Sequence, residues 1–340
     1  MLVTSLSVVP QISLWFTICF SVAGLEESGG LDSLEDAAMR RSLSTSSMMT
    51  TASGLHTVRI STARHKNFLV GQQDSHSSLM GAPELERTFP DRNMSLFVGT
   101  WNMAELKRLD QSIEDFVLPT ALDFVPDVLV VTTQEFEFDR KEWEIKLQET
   151  IGLNHVLFHS AQHGTLHIAV CMKRELIWFC SIAEEDTVTV RAFKQIKTKG
   201  AVAIAFTMFG TSFIFIGSHF KAKENNAKAR IQDYMTINKN LRLPKQVVDN
   251  PLQQADVEVS KRFDCVFWAG DFNFRITKER KMVMDMISAA ENDEHPDFQQ
   301  LLDNDELTQA MNRHEVFEDF QEGLIRFPPT YKFDIGECCC

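Results

Sequence analysis

Four apolar stretches of this sequence close on side chains of the kinds that bind phosphate or a hard cation. Asn102 ends "TWN", Glu135 ends "TTQE", His219 lies in "GSHF", and Asp271 and Asn273 share "GDFN". Singly, each has an ordinary structural explanation. Asn and Asp end strands as turn formers, a Glu opens a helix, and a lone His is a satisfied surface residue. Together, on successive apolar segments, they form a set placed where a rigid sheet presents functional groups. The set suits phosphoryl transfer to water. Hard carboxylate and amide oxygens suit Mg²⁺, which keeps several waters and takes one or two protein carboxylates. Glu135 is the expected metal ligand. Asn273 and His219 are the amide and imidazole expected to hold phosphoryl oxygens in line for attack.

Such groups need strands that stop where they stand. Residues 263 to 275, "FDCVFWAGDFNFR", begin as a strand covered on both faces and end in an Asp-x-Asn turn. "SLFVGTWNM" from Ser95 and "DVLVVTTQE" from 127 to 135 read as buried strands. "DRKEWEIKLQETI" reads as a helix, with Trp143, Leu147 and Ile151 on one face. "HVLFHS", "LHIAVCMKR", "LIWFCSI", "TVTVRAF", "AVAIAFTMF" and "SFIFIGSHF" read as short strands, the last two joined by a hairpin at Gly210-Thr211. A polar helix is expected from Asn225 to Leu241, and mostly helix from 278 to 320. This order predicts an α/β protein, sheet packed on sheet with helices outside. No internal repeat stands out in the sequence.

The 340 residues and 44% hydrophobic content suffice for a substantial core. A net charge of −13, from 47 acidic and 34 basic residues, argues against a nonspecific nucleic-acid binder. Seven cysteines, with no Cys-x-x-Cys spacing, indicate neither a zinc site nor a disulfide framework, and reduced intracellular thiols are expected. Residues 1 to 23 hold an apolar stretch, "ISLWFTICFSVAG", that reads as a signal, an anchor or an alternative N-terminus; no Lys or Arg precedes it. Residues 24 to 94 are rich in Ser and Thr and read as a disordered linker. His159, His163 and His167 are spaced as ligands on a helix would be, but their flanks read as strands broken at Gly164, which scatters the rings.

"TWNM", "QE", "SHF", "GDFNFR" and "FPPTYKFDIG" follow one another across residues 95 to 336. In content and order this resembles the Mg²⁺-dependent inositol polyphosphate 5-phosphatases of the endonuclease/exonuclease/phosphatase superfamily. The resemblance implies a DNase I-like four-layer sandwich of two mixed β-sheets with outer helices, and a catalytic domain over 95 to 340. It implies Glu135 as metal ligand with Asn102 beside it, and His219 on the scissile phosphate. Asp271 would activate water or stabilise the transition state, and Asn273 would orient the phosphate. Tyr331 and Lys332 of "PPTYKFD" would grip the 4-phosphate, and Lys199 would face inositol phosphates, although the family has Asn-Lys-Gly where this chain has Thr-Lys-Gly. The implied substrates are phosphatidylinositol 4,5-bisphosphate and 3,4,5-trisphosphate at the cytosolic face of membranes, with Golgi and primary cilium as compartments.

Two other readings compete. A nuclease of the same superfamily is opposed by "PPTYKFD" and by the net charge of −13. Family motifs expected after "FDIG", a Pro-(Ser/Ala)-(Trp/Tyr)-x-Asp-Arg and a Ser-Asp-His, do not follow in these 340 residues. The expectation is therefore a sandwich incomplete at its C-terminal end. With it comes the alternative of a catalytically inactive truncated isoform that binds phosphoinositide or a partner.

Overall fold

In a computed structural model of the chain, residues 2–5, 17–21, 90, 93–108, 112–119, 122–191, 198–245, 257–291, 298–323, 325 and 327 are described, with backbone alone at 2–5, 17–21, 290 and 291. Most of the segment read as a linker, and Tyr331 and Lys332, lie outside the described residues. The described residues from Met94 onward belong to one compact unit.

Two five-stranded sheets are present. One has the order β1 (Leu2–Ser5), β10 (Cys265–Asp271), β9 (Thr211–His219), β8 (Gly200–Met208), β7 (Glu184–Thr189). The other has the order β2 (Thr17–Ser21), β3 (Asn93–Asn102), β4 (Val128–Gln134), β6 (Leu166–Lys173), β5 (His155–His163). β1, β10 and β9 run parallel, as do β3 and β4, while β8, β7, β6 and β5 are antiparallel to their neighbours. Both sheets are mixed, as expected.

Strand alternation explains why each sheet is covered twice. Leu129 and Val131 of β4 share an apolar cluster with Phe116 of α1 (Glu114–Val117) and with Trp143, Leu147 and Ile151 of α2 (Arg140–Ile151). Asp139 caps α2 by accepting from Glu142 N at 3.0 Å. Ile214, Ile216, Val266 and Trp268 pack against Tyr234 and Ile237 of α3 (Ala227–Asn240). α4 (Arg280–Glu291) and α5 (Gln299–Leu302) follow, and then α6 (Glu306–Asn312), whose Leu307 and Ala310 join that same cluster. The opposite faces of the sheets meet each other. Phe158 lies 5.1 Å from Phe206 across the gap, and a Cβ on Gly217 would stand 3.1 Å from Thr132 Cβ. The expected α/β/β/α layering is the observed one.

On this shared inner face the character changes along the strands. β9 presents Phe213, Phe215, Gly217 and then His219; β10 presents Phe267, Ala269 and then Asp271. Thr100, Thr132 and Gln134 form a buried hydrogen-bonded ladder on the other sheet, with Thr132 Oγ1 donating to Thr100 Oγ1 at 3.0 Å and Gln134 Nε2 to the same oxygen at 3.1 Å. Aromatic rings stack at one end of this face, and polar side chains line the other.

The two parallel pairs are built alike. At their starts, Ser95 N and Oγ donate to Asp127 Oδ2 at 2.7 and 2.8 Å, and Ser212 N and Oγ donate to Asp264 Oδ2 at 2.8 and 2.6 Å. Each Asp N returns a bond to its Ser Oγ at 2.9 Å. At their ends, Asn102 pairs with Gln134 and His219 with Asp271, and the next backbone amides, Met103 N and Phe220 N, donate to Gln134 O at 2.8 Å and Asp271 O at 2.9 Å. Asn102 and His219 thus occupy equivalent places in the two halves, as do Gln134 and Asp271.

Several expectations need correction. "LIWFCSI" is not a strand: Arg174–Phe179 is a 3-10 helix, with Leu176 buried and Trp178 half exposed, because the segment crosses between sheets and only Cys180 finds a bridge partner, Met208. β7 lies earlier than "TVTVRAF", since Glu184 to Asp186 pair with β8 and accept backbone bonds from Lys245 and Arg242. The hairpin turn is Phe209-Gly210, both with positive φ (51° and 81°), and Thr211 already pairs with Met208. β3 begins at Asn93, and beyond Asn312 the expected helix gives way to turns.

Candidate active site

His219 and Asp271 are paired neighbours at the ends of two parallel strands, so both side chains point to the inner face at the same level. His219 Nε2 is 3.1 Å from Asp271 Oδ2, and Asn102 Nδ2, from the opposite sheet, donates to that same oxygen at 2.9 Å. Asp271 Oδ1 accepts from Asn273 N at 3.1 Å, closing an Asx turn. The Asp271 side chain is buried, with the residue 2% exposed. Burial alone would raise its pKa, but the positive charge and hydrogen bond of His219, the charge of Lys199 and the bond from Asn102 reverse this and hold it at about 2. The Lys199 ammonium reaches His219 Nε2. That nitrogen cannot at once accept from Lys199 and donate to Asp271, so the two contacts compete for it. His219 Nδ1 is buried without a hydrogen-bond partner.

Asn102 Oδ1 accepts from Ala104 N at 3.0 Å, which fixes its amide. Glu135 stands one residue beyond Gln134, the strand partner of Asn102. Its backbone is in the left-handed region (φ 50°), a costly conformation for a residue with a Cβ, and neighbouring bonds hold it there: Glu105 N to Glu135 O and Phe136 N to Thr165 O, both 3.0 Å. The Phe136 ring stacks on His167 at 5.0 Å. Asn273 has the same strained backbone (φ 58°), with Nδ2 donating to Phe220 O at 3.2 Å.

Of the residues singled out in the sequence, Asn102, His219, Asp271, Asn273 and Lys199 converge, and Glu135 lies at the adjoining strand end. Lys199 touches the imidazole, a contact that the phosphate-facing role did not anticipate. The three spaced histidines separate: His159 meets Glu185 Oε2 at 2.8 Å, His163 meets Thr189 Oγ1 at 2.7 Å, and His167 is buried. Sequence reading missed Gln134 and Arg275. Arg275 sits inside the "GDFNFR" run, but a charge beside a turn reads as solvated.

Among the described residues no group of three or more His, Cys, Asp or Glu side chains could hold a metal. The donor chemistry nevertheless fits a hard divalent cation: the carboxylate of Glu135 and the amide oxygen of Asn102, an all-oxygen set of low ligand number.

A model of endonuclease/exonuclease/phosphatase family 2 matches residues 99–338. The phosphatidylinositol polyphosphate 5-phosphatase type IV of Rattus norvegicus is 46% identical over 281 residues, 82% of this chain and 43% of that protein. The phosphatidylinositol 3,4,5-trisphosphate 5-phosphatase 2 of Mus musculus is 30% identical over 255 residues, 72% of this chain and 19% of that protein. The chain thus spans less than half the length of these curated relatives. Among solved structures, the inositol polyphosphate 5-phosphatase domain of SPsynaptojanin, in complex with inositol (1,4)-bisphosphate and calcium ion, matches with TM-score 0.62 and 28% identity, over 72% of this chain and 70% of that one.

Proposed function

This chain belongs to endonuclease/exonuclease/phosphatase family 2, and we propose from that premise that its inner-face site hydrolyses the 5-phosphate of phosphoinositides such as phosphatidylinositol 4,5-bisphosphate and 3,4,5-trisphosphate with Mg²⁺. The observation that carries the reading is the buried Asp271 carboxylate, bonded to Asn102 from one sheet and His219 from the other. The neighbour's complex supports the substrate class, since inositol (1,4)-bisphosphate is the headgroup left when a 5-phosphate departs from a 4,5-bisphosphate.

Lys199 and His219 offer cationic and N–H contacts to an anionic phosphoryl group, replacing in part the Asp271 charge they now balance. Asp271, with a pKa of about 2, is a poor resting place for a proton. It accepts a hydrogen bond from the attacking water and aims it, which suffices for a loose phosphoryl transition state needing little proton abstraction. Asn273 supplies an N–H to a phosphate oxygen, and Glu135 with Asn102 would hold the cation. A divalent cation such as Mg²⁺, when bound, would supply Lewis-acid neutralisation of phosphoryl charge.

The test is inorganic phosphate release from vesicles containing phosphatidylinositol 4,5-bisphosphate, with and without Mg²⁺. Release that needs Mg²⁺ and falls at least about a hundredfold in Asp271→Asn is expected. Release unchanged in Asp271→Asn, or none from the parent chain, would remove this function.

A further inference from the structure

We propose that Arg275 is a positioning residue that fixes which end of the Asn273 amide faces the reacting phosphate; this rests on the phosphatase reading above. An Asn side chain ends in an oxygen and an NH₂ of nearly equal size, and half a turn about its last bond exchanges acceptor for donor. Phosphate oxygens only accept. The amide serves a phosphate in one orientation and repels it in the other.

Two groups of opposite kind set the orientation. Arg275 Nη2 donates to Asn273 Oδ1 at 2.8 Å, and a guanidinium has nothing to accept with, so the oxygen must lie on that side. Phe220 O, 3.2 Å from Asn273 Nδ2, can only accept, so the nitrogen must lie on the other. Flipping the amide would place two acceptors together and two donors together in a residue only 5% exposed. The NH₂ carries two hydrogens and Phe220 takes one. The second is the donor available to a phosphate beside Asp271.

The lock is itself held from both ends. Arg275 N donates to Glu306 Oε2 at 3.0 Å, and the same oxygen is 2.5 Å from Nη2 of the fully buried Arg230. Arg230 Nη1 donates to Lys221 O at 3.2 Å and Lys223 O at 2.9 Å, in the segment that leads on from Phe220. α3 supplies Arg230 and α6 supplies Glu306, so two outer helices grip the two chain segments that flank the amide.

The experiment is a double-mutant cycle on the full chain, with phosphate release from phosphatidylinositol 4,5-bisphosphate vesicles and Mg²⁺ as one readout. Arg275→Met should lower kcat roughly tenfold or more, the scale of one charge-assisted hydrogen bond, with a smaller change in KM. Arg275→Lys, whose ammonium also only donates, should recover much of the loss. In an Asn273→Ala background Arg275→Met should cost little further. An equal loss in that background would overturn the proposal, because Arg275 would then act without Asn273. The second readout needs no turnover. In protein labelled with ¹⁵N-asparagine, the side-chain amide pair that vanishes in Asn273→Ala should shift in Arg275→Met and return in Arg275→Lys. An unshifted pair would overturn the lock whatever the activity. Full turnover in Asn273→Ala would strike instead at the role of Asn273 in the phosphatase reading, with the amide spectrum still judging the lock.

Discussion

Replacing Asp271 by Asn tests the electrostatics of the site through stability alone. The side chain keeps its shape and loses its charge. The carboxyl has a pKa of about 2 in the folded chain against an ordinary 3.8. Its folded value is depressed, so the ionised group stabilises the fold fully above pH about 5, and that contribution is lost as pH falls through 3.8 towards 2. Integrating proton uptake over that shift gives a loss of about 1 kcal/mol by pH 3 and about 2 kcal/mol by pH 2. The amide that Asp271→Asn introduces does not titrate, so the stability advantage of the parent over this variant should shrink by these amounts. Glu144, held at about 2 first by His167, and Asp127 are also depressed, so the parent's own acid profile mixes several carboxylates. The difference between the two proteins isolates one. The assay is urea unfolding from pH 6 to about pH 2 at fixed ionic strength. Parallel profiles would refute the argument, because they would mean that His219, Lys199 and Asn102 do not lower the proton affinity of Asp271.

Further outcomes follow from the same geometry. Lys199→Met removes one of the charges that keep Asp271 ionised, so the acid-dependent gap between Asp and Asn at position 271 should narrow in that background; the same unfolding series measures it. Glu135→Gln should raise the Mg²⁺ concentration needed for half-maximal phosphate release at least about tenfold, with an unchanged circular dichroism spectrum, because the amide lacks the charge that holds the ion. Gly164→Ala puts a Cβ 1.8 Å from Thr198 Oγ1 at a backbone φ of 57°, so a loss well above about 1 kcal/mol is expected in thermal or urea unfolding. Turnover should fall with it, since Thr198 precedes Lys199.

The buried strands were legible because their residues leave little choice. "DVLVVTTQE" and "CVFWAGD" are apolar, β-branched or aromatic on both faces, and each is covered on both. "LIWFCSI" has the same composition and became a 3-10 turn, since a short apolar run does not say whether a partner strand will be beside it. The hairpin slipped by one residue because Phe209, an unusual occupant, takes a positive φ that sequence reading assigns to Gly or Asn. The site was legible as a kind of residue at a kind of place. The bond from Asn102 to Asp271 joins residues 169 positions apart, and neither neighbourhood announces the other. The likeness of the two parallel pairs was hidden for a similar reason. Ser95 and Asp127 are 32 residues apart and Ser212 and Asp264 are 52, so no fixed period links them.

Those Ser–Asp pairs have a consequence for how the fold can change. They sit at the start of each parallel pair, at the end of the sandwich remote from the site, and they set register there with the same atoms in both halves. At the other end the equivalent positions hold Asn and Gln in one half, His and Asp in the other. Alignment is thus kept at one pole and reactivity displayed at the opposite one. A substitution at the reactive pole can alter what the groups do while the strands stay in step, so the architecture separates inheritance of shape from variation in chemistry.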